Sequence, residues 1–293
     1  MHERRIQGAG LSLAVHELGE GDETVVLVHG FPDTHAVWLP VAERLAAAGY
    51  HVVAPDVRGA GASDAPRHRD GYRLPLLVDD LRAVVDATSP DRPVHVVGHD
   101  WGSIQAWEAV GSPLLSGRVA SYTSISGPPL AHAGWWMRDR LRRRDLRALA
   151  SQGARSSYIL GMHVPGTAYA ARLLARTGIP RKVWVRTLDR IEGAADDAAW
   201  PPPTFGHDVA NGLGLYLANI RPRLRRPERF TVDVPVQLLV AQRDRYVPPR
   251  LLEGIEAFAP DLRRVDLDCS HWGVRTHADL VADHIAAFVG ARV

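Results

Sequence analysis

Three residues far apart in the sequence are of the types needed for nucleophilic catalysis. The first is Asp100, in Gly98-His99-Asp100-Trp101-Gly102, where the strand-like run VHVVGHD passes directly into the helical pattern WGSIQAWEAV. Glycines two positions on either side let a strand turn sharply into a helix and expose the side chain between them. A carboxylate in that position is ionised at neutral pH and can attack carbon with no base to deprotonate it. Asp244 ends VQLLVAQRD and His271 follows RRVDLDCS, so an acid and a histidine also fall where loops leave strands. A histidine backed by a carboxylate can activate water against an ester formed on the first carboxylate. Cys269, two residues before His271, lacks an elbow and reads as a small buried filler. The other histidines read mostly as surface residues; none makes an i, i+4 pair with an acid between, and no metal is implied.

Short apolar, β-branched runs must hold these groups. Thr24 to Val28, His51 to Ala54, Val94 to Val97, Val119 to Ile125 and Val236 to Val240 read as strands buried on both faces. Between them lie helical spacings around Ala36 to Ala47, closed by Gly49, and at Leu74 to Ala87. The latter places Leu77, Leu81, Val84 and Val85 on one face and Asp79, Asp80 and Arg82 on the other. Alternating strand and helix predicts an α/β fold with a mostly parallel sheet. The alternation stops after Ser126-Gly127-Pro128-Pro129 and returns near Val234. The interval is rich in arginine and tryptophan, with Arg138 to Ala150 read as helical and Arg221 to Phe230 as a basic linker. Residues 129–222 are therefore expected to form a helical cap inserted after the sixth strand, with 1–128 and 223–293 as the core.

Composition narrows the class. The 293 residues are 46% hydrophobic and 23% charged, which argues against disorder and fibrous classes. A formal net charge of +2 requires no nucleic-acid partner. One cysteine excludes an internal disulfide and fits a reducing compartment. The first residues lack the apolar stretch of a secretory signal, and no 18-residue apolar run occurs, so a cytoplasmic protein is expected.

With HGFPD at 29–33, DVRGAGASD at 56–64, GHDWG at 98–102, QRDRYVP at 242–248 and SHW at 270–272, the chain resembles the epoxide hydrolases of the α/β-hydrolase fold, close to the haloalkane dehalogenases. The order nucleophile, acid, histidine agrees with that fold. The resemblance implies that Phe31 and Trp101 supply the oxyanion-hole N–H groups and that the Phe31-Pro32 bond is cis. It also implies two cap tyrosines above the nucleophile. Tyr158 matches one, in Tyr-Ile-Leu-Gly-Met-His-Val-Pro-Gly, and Tyr216, in NGLGLYLANIRPRL, is the candidate for the other. YTSISGP, SSYILG, LYLANIRPRL and VPVQLLV are similar to the hydrolase half of fusion proteins that continue into a short-chain dehydrogenase; this chain has no Gly-rich dinucleotide fingerprint of its own. Ser270 departs from the glycine commoner before the histidine.

The implied chemistry is conversion of a small-molecule epoxide to a vicinal diol through an ester on Asp100, without metal or organic cofactor. Tyr158 and Tyr216 would hold the leaving oxygen. His271, oriented by Asp244, would activate water. A haloalkane dehalogenase with the same Asp-His-Asp set and Trp101 as halide donor is the alternative, and a catalytically idle ligand-binding member of the fold is a further one. Two readings of Arg138 to Arg147 stay open. The arginines pair with Asp139 and Asp145 on a solvated helix, or, beside Trp135 and Trp136, they rest on anionic lipid and admit a lipid-derived epoxide.

Overall fold

The computed structural model describes residues 1–193 and 200–291. Its strands are β1 (His2–Gln7), β2 (Ser12–Leu18), β3 (Thr24–Val28), β4 (His51–Pro55), β5 (Val94–His99), β6 (Val119–Ile125), β7 (Val236–Ala241) and β8 (Leu262–Leu267). They form one sheet in the order β1-β2-β4-β3-β5-β6-β7-β8. From β4 to β8 every neighbouring pair is parallel, while β2 runs antiparallel to both β1 and β4.

Side chains alternate along a strand, and the packing follows that period of two. Val26, Val28, Val53 and Val96 pack on one face, and Val25, Leu27, Val52 and Val97 on the other. The helices covering the sheet are α1 (Leu39–Ala47), α2 (Leu74–Thr88) and α3 (Trp101–Val110); then, between β6 and β7, α4 (Leu130–Arg142), α5 (Leu146–Arg155), α6 (Ser157–Met162), α7 (Thr167–Ala175), α8 (Ile179–Glu192) and α9 (Phe205–Arg225); then α10 (Gly273–Thr276) and α11 (Ala278–Gly290). Leu81 and Val84 of α2 and Trp107 of α3 close the first face; Val41 and Leu45 of α1 with Val281 and Ile285 of α11 close the second. Each such fully buried side chain contributes roughly 1.5–3 kcal/mol, so the strands that carry the chemical groups lie in the best-fixed part of the molecule.

Three local expectations are corrected. Asp80 does not face solvent with Asp79 and Arg82: it turns inward, where its two oxygens take Arg58 Nε and a terminal guanidinium nitrogen, both at 2.7 Å, and it also accepts the Ala9 N–H at 2.8 Å. A guanidinium fork makes a buried carboxylate tolerable on an apolar helix face. The run Arg138 to Ala150 is two helices, because Arg144 takes φ 59° and Asp145 caps α5 by accepting the Ala148 N–H at 3.1 Å. Arg221 to Arg225 is the end of α9 and not a linker, the helix continuing through Pro222 with Arg223 bonded to Glu108 at 2.8 Å; it thus crosses the 222/223 boundary. Residues 194–199 of the expected cap and 292–293 of the expected core lie outside the described residues. Among the described residues no helix is long and apolar enough to cross a membrane.

Candidate active site

Six connections leave the carboxyl ends of β3, β4, β5, β6, β7 and β8, the edge at which open α/β sheets bind ligands. Asp100 follows β5 directly, at φ 53° and ψ −121°, and α3 begins at the next residue. The flanking glycines are needed for space. A Cβ at Gly98 would stand 2.6 Å from Ser103 Cα, and one at Gly102 would fall deep inside the Val28 and His29 carbonyl oxygens. Strand β3 and helix α3 can approach this closely only because the elbow has no side chain there.

The two oxygens of Asp100 have different surroundings. Oδ1 accepts the Phe31 N–H at 2.8 Å, and the Trp101 N–H also acts on the carboxylate. Oδ2 lies 3.7 Å from His271 Nε2, beyond hydrogen-bond reach. Burial raises the Asp100 pKa above the ordinary carboxylate value, and His271 and the two N–H groups work against that rise. His271 Nδ1–H donates to Asp244 Oδ2 at 2.9 Å, while Asp244 Oδ1 accepts the Tyr246 and Val247 N–H groups at 2.7 and 2.9 Å. Burial pushes His271 down, but the charge and hydrogen bond of Asp244 and the charge of Asp100 outweigh it, leaving the imidazole at about 9. Asp244, raised by burial and lowered more by His271 and the N–H donors, stays below the usual carboxylate range.

Above Asp100 a cavity of about 360 Å³ is walled by Ile104, Leu130, Met137, Leu149, Ile159 and Ile220 among other apolar groups. Tyr158 and Tyr216 both reach it. Tyr216, 4% exposed on α9, packs edge-on against Phe31 at 5.2 Å and Trp101 at 4.9 Å between ring centroids. Tyr158, 39% exposed on α6, meets Tyr216 at 6.1 Å and Tyr246 at 5.7 Å. Burial raises both phenols above their ordinary value, helped by the Asp100 charge at Tyr158 and by Tyr158 and then Asp100 at Tyr216, so each is a neutral O–H donor at pH 7. Four of the expected residues, Asp100, Trp101, Tyr158 and Tyr216, line this cavity; Phe31 and His271 approach it through Asp100, and Asp244 stands behind His271.

Several neighbours were not singled out from sequence. Tyr246 packs edge-on against His271 at 4.9 Å. His99 Nε2–H donates to the His271 carbonyl at 2.9 Å and is kept neutral, at about 3, chiefly by burial. Of the thirteen histidines other than His271, eight are at least partly exposed, as expected of most of them, and five are buried: His16, His29, His95, His99 and His132. They bond backbone and side-chain groups in loops and strands, as His29 does by donating from Nδ1 to Gly30 O and accepting the Val57 N–H at Nε2, both at 2.9 Å. Among the described residues, His16, His35 and Asp56 have potential metal-ligand atoms within 4.8 Å of one another. Asp56 already accepts His35 Nδ1 at 2.8 Å, the His35 N–H at 2.8 Å and the Ala62 N–H at 2.9 Å, which ties the group into the loop after β4. Cys269 is buried. Phe31-Pro32 is cis. In the basic stretch, Arg142 and Arg143 pair with Asp139 at 2.7 and 2.8 Å and Arg140 with Asp145 at 3.7 Å.

The pattern of the alpha/beta hydrolase fold family matches residues 23–278. The "Probable oxidoreductase EphD" of Mycobacterium tuberculosis is 35% identical over 288 residues, which cover 95% of this chain and 48% of that protein. The "Epoxide hydrolase A" of the same organism is 36% identical over 199 residues, 67% of this chain and 57% of that protein. The chain thus spans about half the length of the curated relatives it matches. Among solved structures, an epoxide hydrolase mutant from Bacillus megaterium, complexed with its diol product, superposes with a TM-score of 0.80 at 22% identity, covering 98% of this chain and 100% of that one. The epoxide hydrolase VrEH1 from Vigna radiata gives 0.76 at 22% identity, with 99% and 98% covered. At that identity the structural likeness is one of fold.

Proposed function

The chain belongs to the alpha/beta hydrolase fold family, and from that premise we propose that it is an epoxide hydrolase acting through an ester on Asp100. One observation carries the reading. Asp100 Oδ1 is engaged by the Phe31 N–H, with the Trp101 N–H also acting on the carboxylate, while Oδ2 is left toward His271, beneath an apolar cavity that also holds two neutral tyrosines. Oδ2 attacks an epoxide carbon, the carbon–oxygen bond breaks, and the leaving oxygen takes a proton from Tyr158 or Tyr216 while the other donates a hydrogen bond. Donors already aimed at charge that appears only in the transition state lower the barrier most.

Esterification then changes His271. The Asp100 charge is one cause of its raised pKa, and forming the ester removes that charge. Its imidazolium then gives up a proton more readily, the tyrosinate left by epoxide opening being the acceptor, and the neutral imidazole can take a proton from the water that attacks the ester carbonyl carbon. The oxyanion forms on Oδ1, toward which the Phe31 N–H already points with the Trp101 N–H beside the same carboxyl group; its collapse breaks the Cγ–Oδ2 bond, and the departing alkoxide takes the proton held by His271 to leave as the diol.

In this proposal 129–222 serves as the cap and Asp100, His271 and Asp244 as the triad; the substrate is a small epoxide, lipid-derived ones included. The likeness to the hydrolase half of epoxide hydrolase/short-chain dehydrogenase fusions rests on the sequence segments alone; the oxidoreductase relative, of which the chain covers 48%, supplies only a length that leaves room for a second half. The single cysteine supports a cytoplasmic location, and the arginine pairing with Asp139 and Asp145 favours a solvated α4 over a lipid-bound one. The test is turnover of styrene oxide and a fatty-acid epoxide beside a bromoalkane. Diol formation without halide release is expected. Halide release alone would favour the dehalogenase, and inertness to all three the idle ligand-binding protein.

A further inference from the structure

Asp33 ends the HGFPD run and is only 3% exposed. No step above uses it. Its Oδ1 accepts the Trp200 indole N–H at 2.8 Å and its Oδ2 the Trp272 indole N–H at 2.9 Å. An indole N–H can only donate and a carboxylate only accept, so each oxygen of one buried acid is committed to one tryptophan. The three residues belong to three parts of the site. Asp33 shares its loop with Phe31, whose N–H holds Asp100 Oδ1, and its own N–H closes that loop on Gly30 O at 3.1 Å. Trp272 directly follows His271 and forms one wall of the imidazole, edge-on at 4.7 Å. Trp200 lies between α8 and α9, in the inserted helical region, and Arg275 of α10 covers its ring at 5.3 Å.

We propose that Asp33 is a positioning residue that fixes the oxyanion loop to the histidine loop and both to the cap, and so controls hydrolysis of the ester more than its formation. Asp33 makes no hydrogen bond to Asp100, Tyr158 or Tyr216, the groups that alkylation uses. Hydrolysis uses His271 and the Phe31 N–H together, and the Asp33–Trp272 bond sets their relative position. The Trp200 bond serves the cap that captures the epoxide. The inference rests on the epoxide hydrolase reading for its kinetic consequence, but the hydrogen bonds can be tested apart from it.

The experiment compares wild type with Asp33→Asn, Trp272→Phe and Trp200→Phe. An amide keeps one acceptor oxygen and turns a donor toward the other indole, and Phe removes one N–H while keeping an aromatic ring. After rapid mixing with styrene oxide, the ester is followed by mass spectrometry of the quenched protein. Asp33→Asn and Trp272→Phe are expected to alkylate within about 3-fold of wild type but to hydrolyse the ester about 100-fold more slowly, so that the adduct accumulates, as misplacement of a positioned base by about 1 Å would cause. Trp200→Phe is expected to lower kcat/KM about 10-fold without accumulation, through weaker capture. Equal slowing of both steps, or hydrolysis at the wild-type rate in Trp272→Phe, overturns the proposal. Should Asp33→Asn not fold, Trp272→Phe carries the same test. Indole N–H resonances of ¹⁵N-labelled protein, assigned by the two Trp→Phe variants, should both move in Asp33→Asn; unmoved signals overturn the proposal. Wild type that is never alkylated would count against the epoxide reading alone, leaving that spectroscopic result to decide the role of Asp33.

Discussion

Asp100, on the floor of the cavity, sits between β5 and α3 and is held by the Phe31 N–H, whereas Tyr158, in the roof, stands on α6, a six-residue helix with no buried residue. The other two floor groups are as firmly tied. Asp244 takes two backbone N–H groups and His271, and His271 is held at its ring by Asp244 and at its carbonyl by His99. Of the two roof tyrosines Tyr216 has the firmer support, on the nine buried residues of α9; among the described residues α4 buries five, α7 none and α8 only Leu188. The floor carries charge, where a small displacement is expensive. The roof supplies neutral donors and apolar wall, carried in part on α6, α7 and α8, which bury few residues.

The contrast can be broken most severely at the floor. Asp100→Asn should lower turnover by at least about 10⁴-fold with no covalent adduct, measured as diol formation and intact mass. Asp80→Ala leaves Arg58 buried and unpaired and should destabilise the protein by about 3–5 kcal/mol in urea unfolding, while Leu173→Ala, in the 50% exposed side chain on α7, should change stability by less than about 0.5 kcal/mol. A roof as well anchored as the floor would show a large loss at Leu173. Tyr158→Phe and Tyr216→Phe should each slow alkylation by about 10²–10³-fold, as loss of one oxyanion donor does, and together nearly abolish it.

Much of the floor was legible in the sequence. Gly98-x-Asp100-x-Gly102 is a local steric requirement, and Asp244 and His271 end apolar runs whose burial fixes where they emerge. What escaped depends on partners remote in sequence. Asp80 looks polar-facing by helical period until Arg58, 22 residues earlier, arrives beneath it. Asp33 gives no sign that Trp200 and Trp272 converge on it. Strands β1 and β2 went unread: HERRIQ has one buried residue, and SLAVHEL takes its strand form from pairing with β4. The helical reach of α9 through Pro222 likewise depends on tertiary support from Glu108.

A smaller effect probes the electrostatics of the floor. His271 is held at about 9, above its unfolded value of about 6.5, so its contribution of about 3 kcal/mol is fully present below pH 6.5 and is lost as pH rises through 9. The melting-temperature advantage of wild type over His271→Gln should therefore shrink between pH 6.5 and 9.5. An advantage that grows over that range would mean the imidazole is not held charged by Asp244 and Asp100.

The ester on Asp100 is tested most directly by mixing His271→Gln with styrene oxide and weighing the intact protein, followed by peptide mapping. A stable mass increase equal to one substrate molecule, located on Asp100, is expected. An unmodified His271→Gln protein, under conditions where wild type turns the same epoxide over, would contradict the two-step mechanism.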